Sequence, residues 1–253
     1  MTENVSRILR LLEECTVDER RVVLDHLKQE FLHHPLEIQW GVAADTILSA
    51  IKRSSDLTQR GVRGVIAEAI FEQSVLPSIN ADWTGELIAG DQSYDFLIVC
   101  NGRRIRIQVK LQRMKAGRPM MASEGNIRLP ADMYTVEVQR TRGGTDPATN
   151  SDTRPYKFGE FDILAVNMHP STGDWKRFMF TVADWLIARP EDPNLVMKFQ
   201  PVSPHATDRW TDRLDECIEW QQSGLRNRIF ELPEAVRPLR KRVPKTKPGE
   251  PET

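Results

Sequence analysis

The stretch SYDFLIVCNGRRIRIQVKLQR, residues 93–113, decides the fold. Two apolar runs that alternate with period two flank Asn101-Gly102. That dipeptide tolerates the positive φ of a two-residue type I′ turn and is a strong short hairpin signal. A two-residue turn sets Cys100 opposite Arg103 and Val99 opposite Arg104, and carries Asp95 to a position opposite Gln108. Paired residues share a face of the sheet. Asp95, Leu97, Val99, Arg104, Arg106, Gln108 and Lys110 therefore project together. Phe96, Ile98, Ile105, Ile107, Val109 and Leu111 project oppositely and form the core face.

Working outward, residues 85–111 read as three strands, roughly 85–89, 94–100 and 103–111. Further strands are expected at 133–140, 161–168 and 175–182, and helices at 182–188 and 207–222. Upstream, residues 3–56 read as helical. Thr16-Val17-Asp18-Glu19 has capping-box form, an apolar face runs to Pro35, and another helix covers about 36–53. This region is either a helical cap on the core or a dimerisation or DNA-facing element. A helix at 59–76 contains Gly61 and Gly64, each costing on the order of 1 kcal/mol against Ala, which suggests a close backbone approach near Glu68. The expected fold is α/β (α+β), a mixed central sheet flanked by helices with a helical N-terminal region. The segments are 1–58 (helical), 59–236 (core) and 237–253, a Pro- and Lys/Arg-rich tail expected to be disordered.

Bulk properties narrow the class. The 253 residues are 40% apolar and 28% charged with net charge -1, so no global basic excess announces a nucleic-acid partner. Three separated cysteines and the absence of CxxC or paired-histidine spacing argue for a reducing compartment and against zinc. No signal peptide or membrane span is read, and a cytoplasmic protein is expected.

A carboxylate, an amide and an ammonium within ~5–7 Å on neighbouring strands admit two explanations. One is a solvated surface Asp–Lys pair, worth ~0–1 kcal/mol. The other is a Mg²⁺ site for phosphodiester hydrolysis. Asp95 would then ligate the metal, Gln108 would offer a carbonyl oxygen, and Lys110 would orient water and offset phosphorane charge. A rival placement uses Glu160, Asp162 and Asp174, but its returning strand offers no carboxylate and lysine two apart.

The pattern D-x12-Q-x-K, with apolar strands and a preceding helix RGVRGVIAEAIF, resembles the PD-(D/E)XK nuclease superfamily, which includes restriction endonucleases. YKFGEFDILAV at 156–166 is similar to its later core strand. The resemblance covers about 59–112 and implies a restriction-endonuclease-like core. It makes Asp95 the metal-binding aspartate, Lys110 the lysine and Glu68 the helical carboxylate, with Gln108 and Val109 in the metal set. Tyr94 replaces the family's proline, and Gln108 replaces its usual acid. The implied activity is Mg²⁺-dependent (Mn²⁺ substituting) site-specific cleavage of duplex DNA leaving 5′-phosphate, by a homodimer without organic cofactor. Alternatives are a structure-specific repair or recombination nuclease, a non-catalytic DNA-binding module, or a helical interaction protein.

DNA contacts are expected from a stripe without acids, including Arg104, Arg106, Arg113, Lys115 and Arg118, unless neighbouring acids balance it. Gln139, Arg140 and Arg142 would reach base edges if their loop is not merely solvated. Arg154 and Lys157 would contact backbone.

Overall fold

The computed structural model describes residues 2–31, 34–86, 88, 92–140, 144 and 153–233. It divides into two compact units, Met1–Val62 and Arg63–Thr253. The tail 237–253 and Arg142 lie outside the described residues.

The first unit is helical, with α1 (Glu3–Glu14), α2 (Val17–Phe31), α3 (Pro35–Trp40), α4 (Ala44–Arg53) and the start of α5 (Asp56–Ile70). The capping box forms: Thr16 N donates to Glu19 at 2.8 Å and Glu19 N to Thr16 Oγ1 at 3.3 Å. The helix expected at 36–53 is instead two. Gly41, at φ 65°, ends α3, and its N–H donates to the Glu37 carbonyl at 2.8 Å. The left-handed conformation stops the helix there.

The second unit is built on a five-stranded mixed sheet of β1 (Thr84–Glu86), β2 (Phe96–Cys100), β3 (Arg103–Leu111), β7 (Ile163–Asn167) and β8 (Phe178–Val182), in the order β1-β2-β3-β7-β8. Among the described strands of this sheet only β3 and β7 run parallel. The long crossover between them holds β4 (Met114–Lys115), β5 (Arg118–Pro119), α6 (Ala122–Gly125) and β6 (Tyr134–Glu137). α7 (His169–Thr172) links β7 to β8, followed by β9 (Ala188–Arg189), β10 (Asp192–Val196), β11 (Phe199–Val202) and α8 (Leu214–Ser223). β6 pairs with β11 as a second small sheet.

The hairpin forms in the expected register, from Cys100↔Arg103 to Phe96↔Ile107. Asn101 (φ 49°) and Gly102 (φ 76°) take the positive φ of the turn. Ile98, Ile105, Ile107 and Val109 are buried as expected, but Leu97 and Gln108 on the opposite face are buried too. A sheet covered on both faces leaves no room for a fully solvated polar face.

Four further expectations need correction. The 182–188 helix is a single 3₁₀ turn, Ala183–Trp185, because Trp185 is drawn into the core and its Nε1 donates to the Leu225 carbonyl at 2.9 Å. The 207–222 helix begins only at Leu214, because Thr211 exchanges backbone hydrogen bonds with Phe180 on the edge of β8. The 59–76 helix begins at Asp56 and passes after Ile70 into a π-helical turn, Phe71–Val75. A Cβ at Gly61 or Gly64 would meet nothing within 4 Å, so no close backbone approach explains those glycines.

One ion pair ties the two halves of the sheet. Asp162, just before β7, accepts from Arg106 N at 2.7 Å, Nε at 2.9 Å and Nη2 at 2.7 Å. Asp162→Ala strands a part-buried guanidinium and a backbone donor, and is expected to cost about 2–4 kcal/mol, near the lower end for broken buried pairs. Urea unfolding of the variant beside wild type measures it; a loss under about 0.5 kcal/mol, the range of ordinary surface changes, would refute this role.

Candidate active site

The site lies where β3 changes neighbours. From Arg103 to Ile107 its edge pairs with β2, and from Gln112 the partner is β6, through the bridge Gln112↔Val136. Val109 sits on the open edge between the two. Asp95 closes that gap with its side chain: its N–H donates to the Ile107 carbonyl at 2.9 Å, while its Oδ2 accepts from Val109 N at 2.7 Å. The same Oδ2 accepts from Gln108 Nε2, which also lies 3.3 Å from the Val109 carbonyl. One neutral amide NH₂ thus reaches both the Asp95 carboxylate and the Val109 carbonyl.

Glu68, on α5, enters electrostatically. Burial, then the Asp95 charge, push its carboxyl up from 4.5 to about 7, with Lys110 opposing. Burial also raises Asp95, opposed by Lys110 and by its hydrogen bonds from Val109 and Gln108. Lys110 is lowered by burial against the pull of Asp95 and Glu68. Two carboxylates and one ammonium, all partly removed from water, act on each other here. A lone solvated Asp–Lys pair does not describe it.

Tyr156 covers this face. It is 4% exposed, its ring centroid is 5.7 Å from Lys110 Nζ and 5.3 Å from the Arg140 guanidinium, and it packs edge-on against Phe161. Tyr156 opens the stretch 156–166 that resembles a later core strand, and nothing local to it signals that its ring lies beside Lys110.

The donor set suits a hard cation. Among the described residues no group of three or more His, Cys, Asp or Glu gathers. A metal here would rest on the Glu68 and Asp95 carboxylates and the Val109 carbonyl, the only ligand a valine can offer. All are oxygens, as Mg²⁺ and Mn²⁺ prefer. Gln108 turns its NH₂ toward Asp95 in this conformation, so its oxygen joins only after the amide rotates.

The expected positive stripe is different in space. Arg104 pairs with Glu86 (2.7 Å), Arg106 with Asp162 (2.7 Å), and Arg113 with Glu137 (3.0 Å). Lys115 and Arg118 share Glu124 (3.5 and 2.8 Å). The run is free of acids in sequence, but carboxylates from other segments balance it. Exposed pairs such as Arg118–Glu124 are screened by solvent and contribute little, so a phosphate can displace them. Arg140 pairs with Glu160 at 2.7 Å, and Gln139 is buried, its amide donating to Glu137 at 2.6 Å. The Arg154 carbonyl accepts from Arg140 N at 2.9 Å, and Lys157 is exposed. Glu160 and Asp162 are thus taken by arginines, and Asp174 accepts from Lys176 N at 2.8 Å, so the rival placement gathers no site.

No family model matches this chain, and no curated protein matches it. Among solved structures, a bacterial homing endonuclease, I-Ssp6803I, is similar over 48% of this chain and 66% of that chain, at 21% identity and a TM-score of 0.29. At that level two chains need share neither fold nor function. No helix among the described residues is long and apolar enough to cross a membrane.

Proposed function

We propose that this chain is a metal-dependent DNA endonuclease of the PD-(D/E)XK kind and, more narrowly, a type II restriction endonuclease acting on duplex DNA as a homodimer. What supports the reading is the Asp95 carboxylate beside the Val109 carbonyl at the open edge of β3, with Glu68 and Lys110 close enough to act on it electrostatically. A bound Mg²⁺ would polarise the scissile phosphate and lower the pKa of water. Glu68, Asp95 and the Val109 carbonyl would hold it. Lys110, held at the edge of the site under the Tyr156 ring, offsets charge developing on the phosphorane and orients the attacking water. A symmetric recognition sequence would be cut by two copies related by a two-fold axis, leaving 5′-phosphates.

Substrate choice tests the narrower reading. Large duplex DNAs incubated with the protein and Mg²⁺ are expected to give sharp fragments whose ends accept label from a kinase only after dephosphorylation. Cleavage confined to branched junctions would replace it with a repair or recombination role.

The metal is expected to act on stability in a pH-dependent way. Without metal, Glu68 is protonated in the folded protein below about 7 and in the unfolded chain only below 4.5, so its burial weakens the fold as pH rises through that window. A dication must displace that proton. The rise in Tm on adding Mg²⁺ should therefore be larger at about pH 8 than at about pH 6. Glu68→Gln should remove most of the difference; a rise that is equal at both pH values would contradict Glu68 as a ligand.

A further inference from the structure

Gln108, Lys110 and Gln112 alternate along β3 onto one face, each ~6.6 Å beyond the last. Gln112 continues the strand, its N–H donating to the Asn167 carbonyl at 3.0 Å, and it is 1% exposed. Among the described residues, neither its Oε1 nor its Nε2 has a hydrogen-bond partner. The fold satisfies a buried glutamine where the role is structural. Gln200, 0% exposed, accepts from Ile187 N at 2.9 Å and donates to the carbonyls of Ile187 (2.9 Å) and Met197 (2.8 Å). An amide buried with both ends unmet weakens a fold, and an apolar side chain of the same size would not. Its neighbour on that face, Lys110, holds its Nζ 5.7 Å from the centroid of the Tyr156 ring and feels the charges of Asp95 and Glu68. A buried amide with both ends unmet, two residues along the strand from an ammonium with protons to donate, calls for a small polar partner that can meet both. Water fits: it can donate to Gln112 Oε1 while accepting from Lys110 Nζ.

We propose that Gln112 is a positioning residue, holding a buried water that orients the Lys110 ammonium toward the scissile phosphate. This rests on the endonuclease reading above. Gln112 touches neither substrate nor metal and acts through the lysine.

The test compares wild type with Gln112→Met, near in shape, and Gln112→Leu. Three quantities are read: thermal midpoint, DNA affinity with Ca²⁺ in place of Mg²⁺, and single-turnover cleavage rate in Mg²⁺. The expected result is a midpoint within about 2 °C of wild type, unchanged affinity, and a rate lowered roughly 10–100-fold, as for other residues that act through a neighbour. A structural role moves midpoint and rate down together, so a midpoint lowered by more than about 2 °C in both variants overturns the proposal. An unchanged rate overturns it as well, with an active wild type showing that the endonuclease reading stands. A wild type inert in Mg²⁺ removes that reading, and the role of Gln112 with it.

Discussion

Lys110→Ala is expected to leave DNA binding in Ca²⁺ within a few-fold of wild type while lowering the Mg²⁺-dependent cleavage rate by roughly 10²–10³, the effect of losing one charge-stabilising donor. The reason lies in where the ammonium sits. Burial draws it away from water and lowers its pKa, while Asp95 and Glu68 favour its charge. A cation so placed exerts its field on a nearby phosphorane with little solvent screening. Lys110→Arg should not restore the rate, because the planar fork of arginine does not reproduce a compact ammonium under the Tyr156 ring. Asp95→Ala should be at least as damaging, since it removes the acceptor of the Val109 N–H as well as a metal oxygen. Near wild-type cleavage by Lys110→Ala would remove the lysine from the chemistry.

Phe71→Ala is the substitution expected to cost the fold most, about 3–5 kcal/mol in urea or thermal unfolding. Phe71 is 0% exposed and opens the π-helical turn that follows α5. Its ring lies 4.9 Å from Phe96, 5.6 Å from Phe178 and 6.5 Å from Phe180, so it joins that turn to β2 and β8 at once. Truncation leaves a cavity among three rings that cannot collapse together. Because Glu68 lies three residues earlier, the same change should loosen the helical carboxylate and weaken the stabilisation given by Mg²⁺. Phe71→Leu, which keeps much of the volume, should lose less. A loss under about 1 kcal/mol would show that the cluster repacks freely.

The hairpin was legible because its signals are local. Asn101-Gly102 defines the turn, the turn defines the register, and the register sets Asp95 across from Gln108 and near Lys110. The mixed central sheet with flanking helices follows from period-two runs alternating with helical ones, and it is observed. What sequence reading missed depends on distant segments. Acids at Glu86, Glu124, Glu137 and Asp162 neutralise the basic run, and none lies within it. The strands from Ala188 to Val202 are short and interrupted by Pro193 and Pro201, so their alternation is weak, yet β11 completes the sheet that holds β6. Tyr156 gains its place over Lys110 through tertiary contact, and Gln112 is notable only once its burial without partners is known.

The most direct test of a metal-dependent DNA nuclease centred on Asp95 and Lys110 is cleavage itself. Purified protein is incubated with several large duplex DNAs, with Mg²⁺ or with chelator, beside folded Asp95→Ala and Lys110→Ala. The predicted result is discrete bands that need Mg²⁺ and vanish in both variants. Intact DNA in every lane, with the folded wild type still bound to it, would contradict the account and leave a protein that binds DNA without cutting it.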